Sequence, residues 1–128
     1  MTIDLKQLVY AFWDTMNKKK WEELAGFFDP SAVIRWPNTL EKWNVADYIK
    51  VNKEYPSVWT LEVEDVQMTE RNIVSVVHIK SNKTPSGLRA VSFFRIDQGK
   101  IQSLKEYFAD DGVVPAWRIA LFQDKSKS

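Results

Sequence analysis

Chemistry in this chain can be built around Glu106, in the run Lys100–Arg118, KIQSLKEYFADDGVVPAWR. Taken as an extended strand, the run places Leu104, Glu106 and Phe108 on one side and Ile101, Ser103, Lys105 and Tyr107 on the other. A carboxylate between two apolar neighbours must find a partner, face a cavity or keep its proton, because burying it bare costs several kcal/mol. An apolar surround raises its pKa toward the range where proton transfer works at neutral pH, which is what a general acid or base needs. The competing arrangement is an ion pair with Arg118 or another base of the tail, which would hold Glu106 charged and purely structural.

The other candidates are judged by what they add to that carboxylate. Asn52 and Ser92 are polar residues on otherwise apolar faces and could orient a bound carbonyl group or a water. Asn52 could equally satisfy backbone groups where helix meets strand. Trp13, Trp36, Tyr55 and Phe108 are candidate walls of a pocket, although large aromatics more often simply fill a core. Asn38, Thr39 and Glu41 form a possible polar rim, with Thr39 also placed to cap a following helix. Trp117 and Arg118 follow Pro115 and read first as closure over the sheet or a partner subunit, then as a lid over the site. His78 is the one histidine. A tight turn over residues 84–87 would pair position 83 with 88, which directs Ser75, Val77 and Ile79 inward and His78 outward. Asp110 and Asp111 sit in a turn and read as solvated.

The elements that must position these groups fall in two halves. Residues 4–18 have Leu5, Leu8, Val9, Phe12 and Met16 at helical spacing, with Trp13 at the stripe's edge and Thr2 or Asp4 as cap. A second helix is expected over residues 20–28, with Trp21, Leu24, Ala25 and Phe28 inward, closed by Asp29 and Pro30. Ser31–Trp36 has strand character and Pro37 stops it. After a turn over residues 37–40, residues 41–54 fit a third helix, with Val45, Tyr48, Ile49 and Asn52 on one stripe. Four strand-like runs follow, Trp59–Met68, Ile73–Ser81, Leu88–Ile96 and Ile101–Phe108, separated by Gly, Pro and Asn turn signals.

Helices first and strands afterwards is an α+β order, with helices on one face of an antiparallel meander. The opposite face would carry Arg89, Val91, Phe93 and Arg95, joined by Val74, Val76, Ile101 and Tyr107. That mixture of apolar, aromatic and Arg residues suits a homodimer interface. Residues 1–123 read as one domain and 124–128 as a disordered tail.

Composition narrows the function classes. There is no cysteine, so thiol chemistry and thiolate metal sites are out. One histidine and no carboxylate cluster at ligand spacing argue against any metal site, and no phosphate loop or dinucleotide fingerprint implies a cofactor. Lys and Arg (18) nearly balance Asp and Glu (17), so no global field points to nucleic acid. No apolar run approaches the roughly 18 residues that span a bilayer. The N-terminus lacks a signal-peptide pattern, and the expectation is a cytoplasmic, soluble protein.

Three helices, a short strand and a four-strand meander ending GKIQSLKEYF resemble the nuclear transport factor 2-like superfamily, in its SnoaL-like (polyketide-cyclase-like) branch. The stretches that carry the resemblance are Asp29–Trp36 with Pro37-Asn38-Thr39, the turn Gly99-Lys100-Ile101, and Glu106-Tyr107-Phe108 with Pro115, Trp117 and Arg118. It implies a cystatin-like cone: helices closing a strongly curved, mainly antiparallel sheet over an apolar pocket for a small hydrophobic ligand. It implies a cofactor-free isomerase, cyclase or dehydratase acting on a hydrophobic carbonyl compound, or else a non-catalytic dimeric module that binds a ligand or a protein. Glu106 stands where the similar limonene epoxide hydrolases have an acidic residue in an aspartate-tyrosine-phenylalanine motif. Those enzymes also need an Arg and a second Asp on an earlier strand, where residues 73–81 offer Ser75, His78 and Lys80 and no carboxylate.

Overall fold

The computed structural model describes residues 4–82 and 86–126. Helix α1 (Leu5–Asn17) starts on the Asp4 carboxylate, which accepts from the Lys6 and Gln7 amides and so satisfies two of the orphan donors of a helix start. Val9, Phe12, Trp13 and Met16 form its buried stripe. Helix α2 (Trp21–Ala25) is shorter than expected. The chain turns into strand β1 (Phe28–Trp36) ahead of Asp29 and Pro30, where the sequence suggested a stop. Pairing explains this: Phe28 lies opposite Ile101, the register then shifts, and pairing resumes at Val33 opposite Ser103. Pro30 falls in that irregular stretch, where its missing N–H breaks no ladder bond.

A 3-10 turn over Pro37–Thr39 and a left-handed Leu40 (φ 59°) close a hairpin onto strand β2 (Glu41–Trp43), with Trp36 opposite Glu41. The third helix is correspondingly shorter than residues 41–54. It is α3 (Val45–Lys53), capped by the Asn44 side chain on the Asp47 amide at 2.8 Å and not by Thr39, whose hydroxyl bonds Glu41.

The meander follows as β3 (Trp59–Met68), β4 (Ile73–Ser81), β5 (Leu88–Asp97) and β6 (Lys100–Asp110). Spatial order is β2-β1-β6-β5-β4-β3, with β1 and β6 parallel and every other pair antiparallel. Register shifts in β1, β3 and at the β5–β6 turn bend and twist the sheet. The shift in the β5–β6 pair corrects one expectation. Arg95 pairs with Ser103 but Ile96 pairs with Ile101, so Gln102 is an extra residue and Ile101 turns inward. Ile101 is fully buried in the core and does not belong to the outer face.

The core between sheet and helices centres on Phe12, which meets Trp13, Phe27, Phe28 and Phe94 edge to face at 5.0–5.8 Å. On the outer face Val74, Val76, Val91 and Phe93 are half-buried and Tyr107 is exposed. After β6 a 3-10 turn (Ala116–Arg118) leads to a fourth helix, α4 (Ile119–Ser126), which the sequence did not suggest. Residues 124–126 of the expected tail are therefore helical, and 127–128 lie outside the described residues.

Candidate functional site

Glu106 is placed by four elements at once. Strand β6 carries it inward, and the β5–β6 register sets Ser92 directly opposite. The end of β1 brings Trp36, and the stripe of α3 brings Tyr48. The carboxylate is 2% exposed. Its Oε1 accepts from Trp36 Nε1 at 3.0 Å and from the Tyr48 hydroxyl at 3.1 Å, and its Oε2 accepts from the Ser92 hydroxyl at 2.8 Å. All three donors are neutral. Burial pushes the Glu106 pKa upward, and the hydrogen bonds from Ser92, Trp36 and Tyr48 only partly oppose that rise. The same burial, reinforced by the nearby Glu106 charge, drives the Tyr48 hydroxyl well above its ordinary value, so Tyr48 acts as a donor and not as a base. The ion pair with Arg118 does not form: Arg118 stands exposed on the 3-10 turn with its guanidinium over the Trp117 ring.

Glu106 lies in the wall of a cavity of about 410 Å³, within the range of small-molecule sites. Trp13, Trp36, Tyr48, Tyr55, Trp59 and Phe108 supply its aromatic surfaces, and Met16, Val51, Leu61, Ile79, Leu88 and Ala90 its aliphatic ones. Thr39, Glu41, Asn52 and Ser81 add polar groups. The Trp13 indole is fixed from below by the Ser75 hydroxyl at 3.0 Å. Trp36 is held between Trp43, Tyr48 and Phe108, with ring centroids 5.1, 6.2 and 5.5 Å away.

Of the residues singled out from sequence, Trp13, Trp36, Asn52, Tyr55, Glu106 and Phe108 line this cavity, and Ser92 supports Glu106 from behind. Asn52 also plays its structural part, donating from Nδ2 to the Tyr48 carbonyl at 2.8 Å. Trp117 is not part of the cavity wall and is 76% exposed. It sits beyond Pro115 on the 3-10 turn that leads into α4. Tyr48 was missed as a site residue. Its signal was available, since a tyrosine on an apolar helix stripe must find a partner for its hydroxyl.

His78 faces outward, as the parity argument had it, although the pairing differs. Leu88 lies opposite Ile79, while the expected partner, Lys83, falls outside the described residues. His78 Nε2 is 2.6 Å from Asp111 Oδ2. Arg89 reaches Asp111 at 2.8 Å and forks onto Glu64 at 3.1 and 2.9 Å. Asp111 is thus clamped and not solvated, and Arg89 first, then His78, holds its carboxyl below the usual range. No helix among the described residues is long and apolar enough to cross a membrane.

A model of the SnoaL-like domain matches residues 9–104. No curated protein matches the chain. Among solved structures, a candidate ketosteroid isomerase from Kribbella flavida superimposes with a TM-score of 0.78 at 25% identity, covering 91% of this chain and 85% of that one. A candidate polyketide cyclase from Sinorhizobium meliloti gives 0.67 at 16% identity, with 78% and 93% covered. An epoxide hydrolase from M. tuberculosis, similar to the limonene enzymes, gives 0.66 at 9% identity, with 81% of each covered.

Proposed function

Because the chain belongs to the SnoaL-like domain family, whose cone encloses a pocket, we propose that it catalyses cofactor-free proton transfer on a hydrophobic small molecule, with Glu106 as the acid/base. The observation that carries this is a buried carboxylate in the wall of an apolar cavity, on three neutral donors and with no cation paired to it among the described residues. A structural carboxylate in such a place is normally neutralised by a base. One held by Trp, Tyr and Ser alone, with burial pushing its pKa upward, takes up a proton more readily than an ordinary carboxylate, as acid/base work requires. Isomerisation, cyclisation and dehydration of carbonyl compounds share a step in which a proton leaves carbon beside a carbonyl. The name given to the Kribbella flavida structure belongs to that class.

The test uses this shared step. A panel of hydrophobic ketones is incubated with the protein in D2O and deuterium uptake at the α-carbon is followed by NMR. Uptake at least 100-fold above buffer for some member is expected from positioned general-base catalysis. No uptake across the panel would favour the second reading, a non-catalytic binding module, to which the lack of a second carboxylate in contact with Glu106 among the described residues lends weight.

Under either reading we propose a homodimer through the outer sheet face. Val74, Val76, Val91 and Phe93 form an apolar strip there, bordered by Tyr107 and Arg95, and Phe93 packs on Tyr107 with Lys105 over both rings. Sedimentation at micromolar concentration should give twice the mass of the chain, and Val91→Glu should return it to a monomer. A wild-type monomer under those conditions would exclude the interface.

A further inference from the structure

Several polar groups of the cavity are already engaged with the protein. The Trp13 indole donates to Ser75, the Trp36 indole and Tyr48 hydroxyl to Glu106, and the Asn52 amide to the Tyr48 carbonyl. At the rim, Thr39 donates to Glu41. Asn52 keeps a second amide N–H, and Tyr55 and Trp59 also line the cavity, so what distinguishes the lining is its charge. Glu106 offers about four acceptor positions as a carboxylate, of which three are taken. Among the described residues no Lys, Arg or His lines the cavity, whereas two carboxylates do, Glu106 within and Glu41 at the rim. The remaining surface is aromatic, and ring faces attract cations. Trp59 already displays that attraction: Lys19 Nζ lies 3.4 Å from its ring centroid, tied to the Asn17 and Trp59 carbonyls and not among the lining residues.

We infer that the cavity selects a hydrophobic organic cation, a protonated or quaternary amine whose positive nitrogen sits beside Glu106 among the indole and phenyl faces. The inference rests on the reading of the cavity as a ligand site and is independent of the reaction carried out there. An anionic ligand would meet two carboxylates and, among the described lining residues, no compensating base. A neutral hydrocarbon would fill the volume but leave the carboxylate without a counter-charge, at the desolvation cost that a cation offsets.

Three benzyl probes separate these cases by calorimetry: benzyltrimethylammonium, its uncharged carbon isostere neopentylbenzene, and the smaller anion phenylacetate. The expected order is cation at least 10-fold tighter than neopentylbenzene, with phenylacetate weakest. In Glu106→Gln the cation should lose its advantage over neopentylbenzene. If neopentylbenzene binds wild type as tightly as the cation, the inference is overturned while the ligand-site reading stands. If none of the three binds, both fall. A cation preference that survives Glu106→Gln would overturn the role given to the carboxylate and leave only the ring faces.

Discussion

Glu106→Gln should cut α-proton exchange by about 100-fold or more, the range associated with removing a positioned acid or base, while making the protein more stable at pH 8. The two effects have one cause. Burial raises the folded-state pKa of Glu106 above the roughly 4.3 of an unfolded glutamate, so the folded protein holds the proton more tightly than the unfolded chain does. The stability linked to this group is therefore complete below the unfolded pKa and is lost as pH rises through the folded one. Above the unfolded pKa the wild type therefore carries the cost of a buried carboxyl group with no counter-ion among the described residues. A glutamine has the same shape, can accept from Trp36 and Tyr48 through its oxygen, and can donate to a rotated Ser92 hydroxyl. The melting temperature of Glu106→Gln should exceed that of wild type by a few degrees at pH 8, about what 1 kcal/mol produces in a domain of this size. The gap should close as pH is lowered toward 4. A wild type more stable than Glu106→Gln at pH 8 would mean that the three hydrogen bonds outweigh desolvation, and that the carboxylate is a structural anion. Loss of activity together with gain of stability is the pattern of a group kept for function.

What the sequence made legible followed from period and punctuation. Strands β3 and β4 have the boundaries expected from their alternation, because turn residues stand at each end and one face is apolar. The same alternation put Glu106 on the inner face. It misplaced Ile101, because a bulge adds a residue to one strand and reverses parity beyond it, and nothing local marks where that happens. Strand β2 escaped because Glu41, Lys42 and Trp43 suit a helix as well as a strand; only the Pro37–Leu40 hairpin decides between them. The partners of Glu106 were harder still. Trp36 and Tyr48 lie 70 and 58 residues away in the chain, so their convergence depends on the parallel β1–β6 pairing and the seat of α3. Asp111 looked like a turn residue for a similar reason, since its clamp, His78 and Arg89, comes from two other strands.

The second large effect is on stability alone. Phe12→Ala should destabilise the protein by about 3–5 kcal/mol, the usual cost of emptying a buried phenylalanine site, against total stabilities of roughly 5–15 kcal/mol. Phe12 is 0% exposed and touches four aromatic rings contributed by α1, the segment entering β1, β1 itself and β5. Rings of that size cannot collapse into the void without leaving their own contacts with Trp13, Phe94 and Tyr48, so relaxation recovers little of the loss. Equilibrium unfolding in urea reads this as a lower midpoint at unchanged slope. Tyr10→Ala, two residues earlier on the solvent side of the same helix and 43% exposed, should stay within about 0.5 kcal/mol of wild type. A loss under 1 kcal/mol for Phe12→Ala would place the centre of the core elsewhere. The contrast with Glu106→Gln is the informative part. The Trp13 wall of the cavity leans on Phe12 on one side and bonds Ser75 on the other, so Phe12→Ala should weaken ligand binding only as far as it loosens Trp13. Under conditions where it stays folded it should retain the proton-transfer step that Glu106→Gln removes, because Glu106 draws its three hydrogen bonds from Trp36, Tyr48 and Ser92 and none from α1.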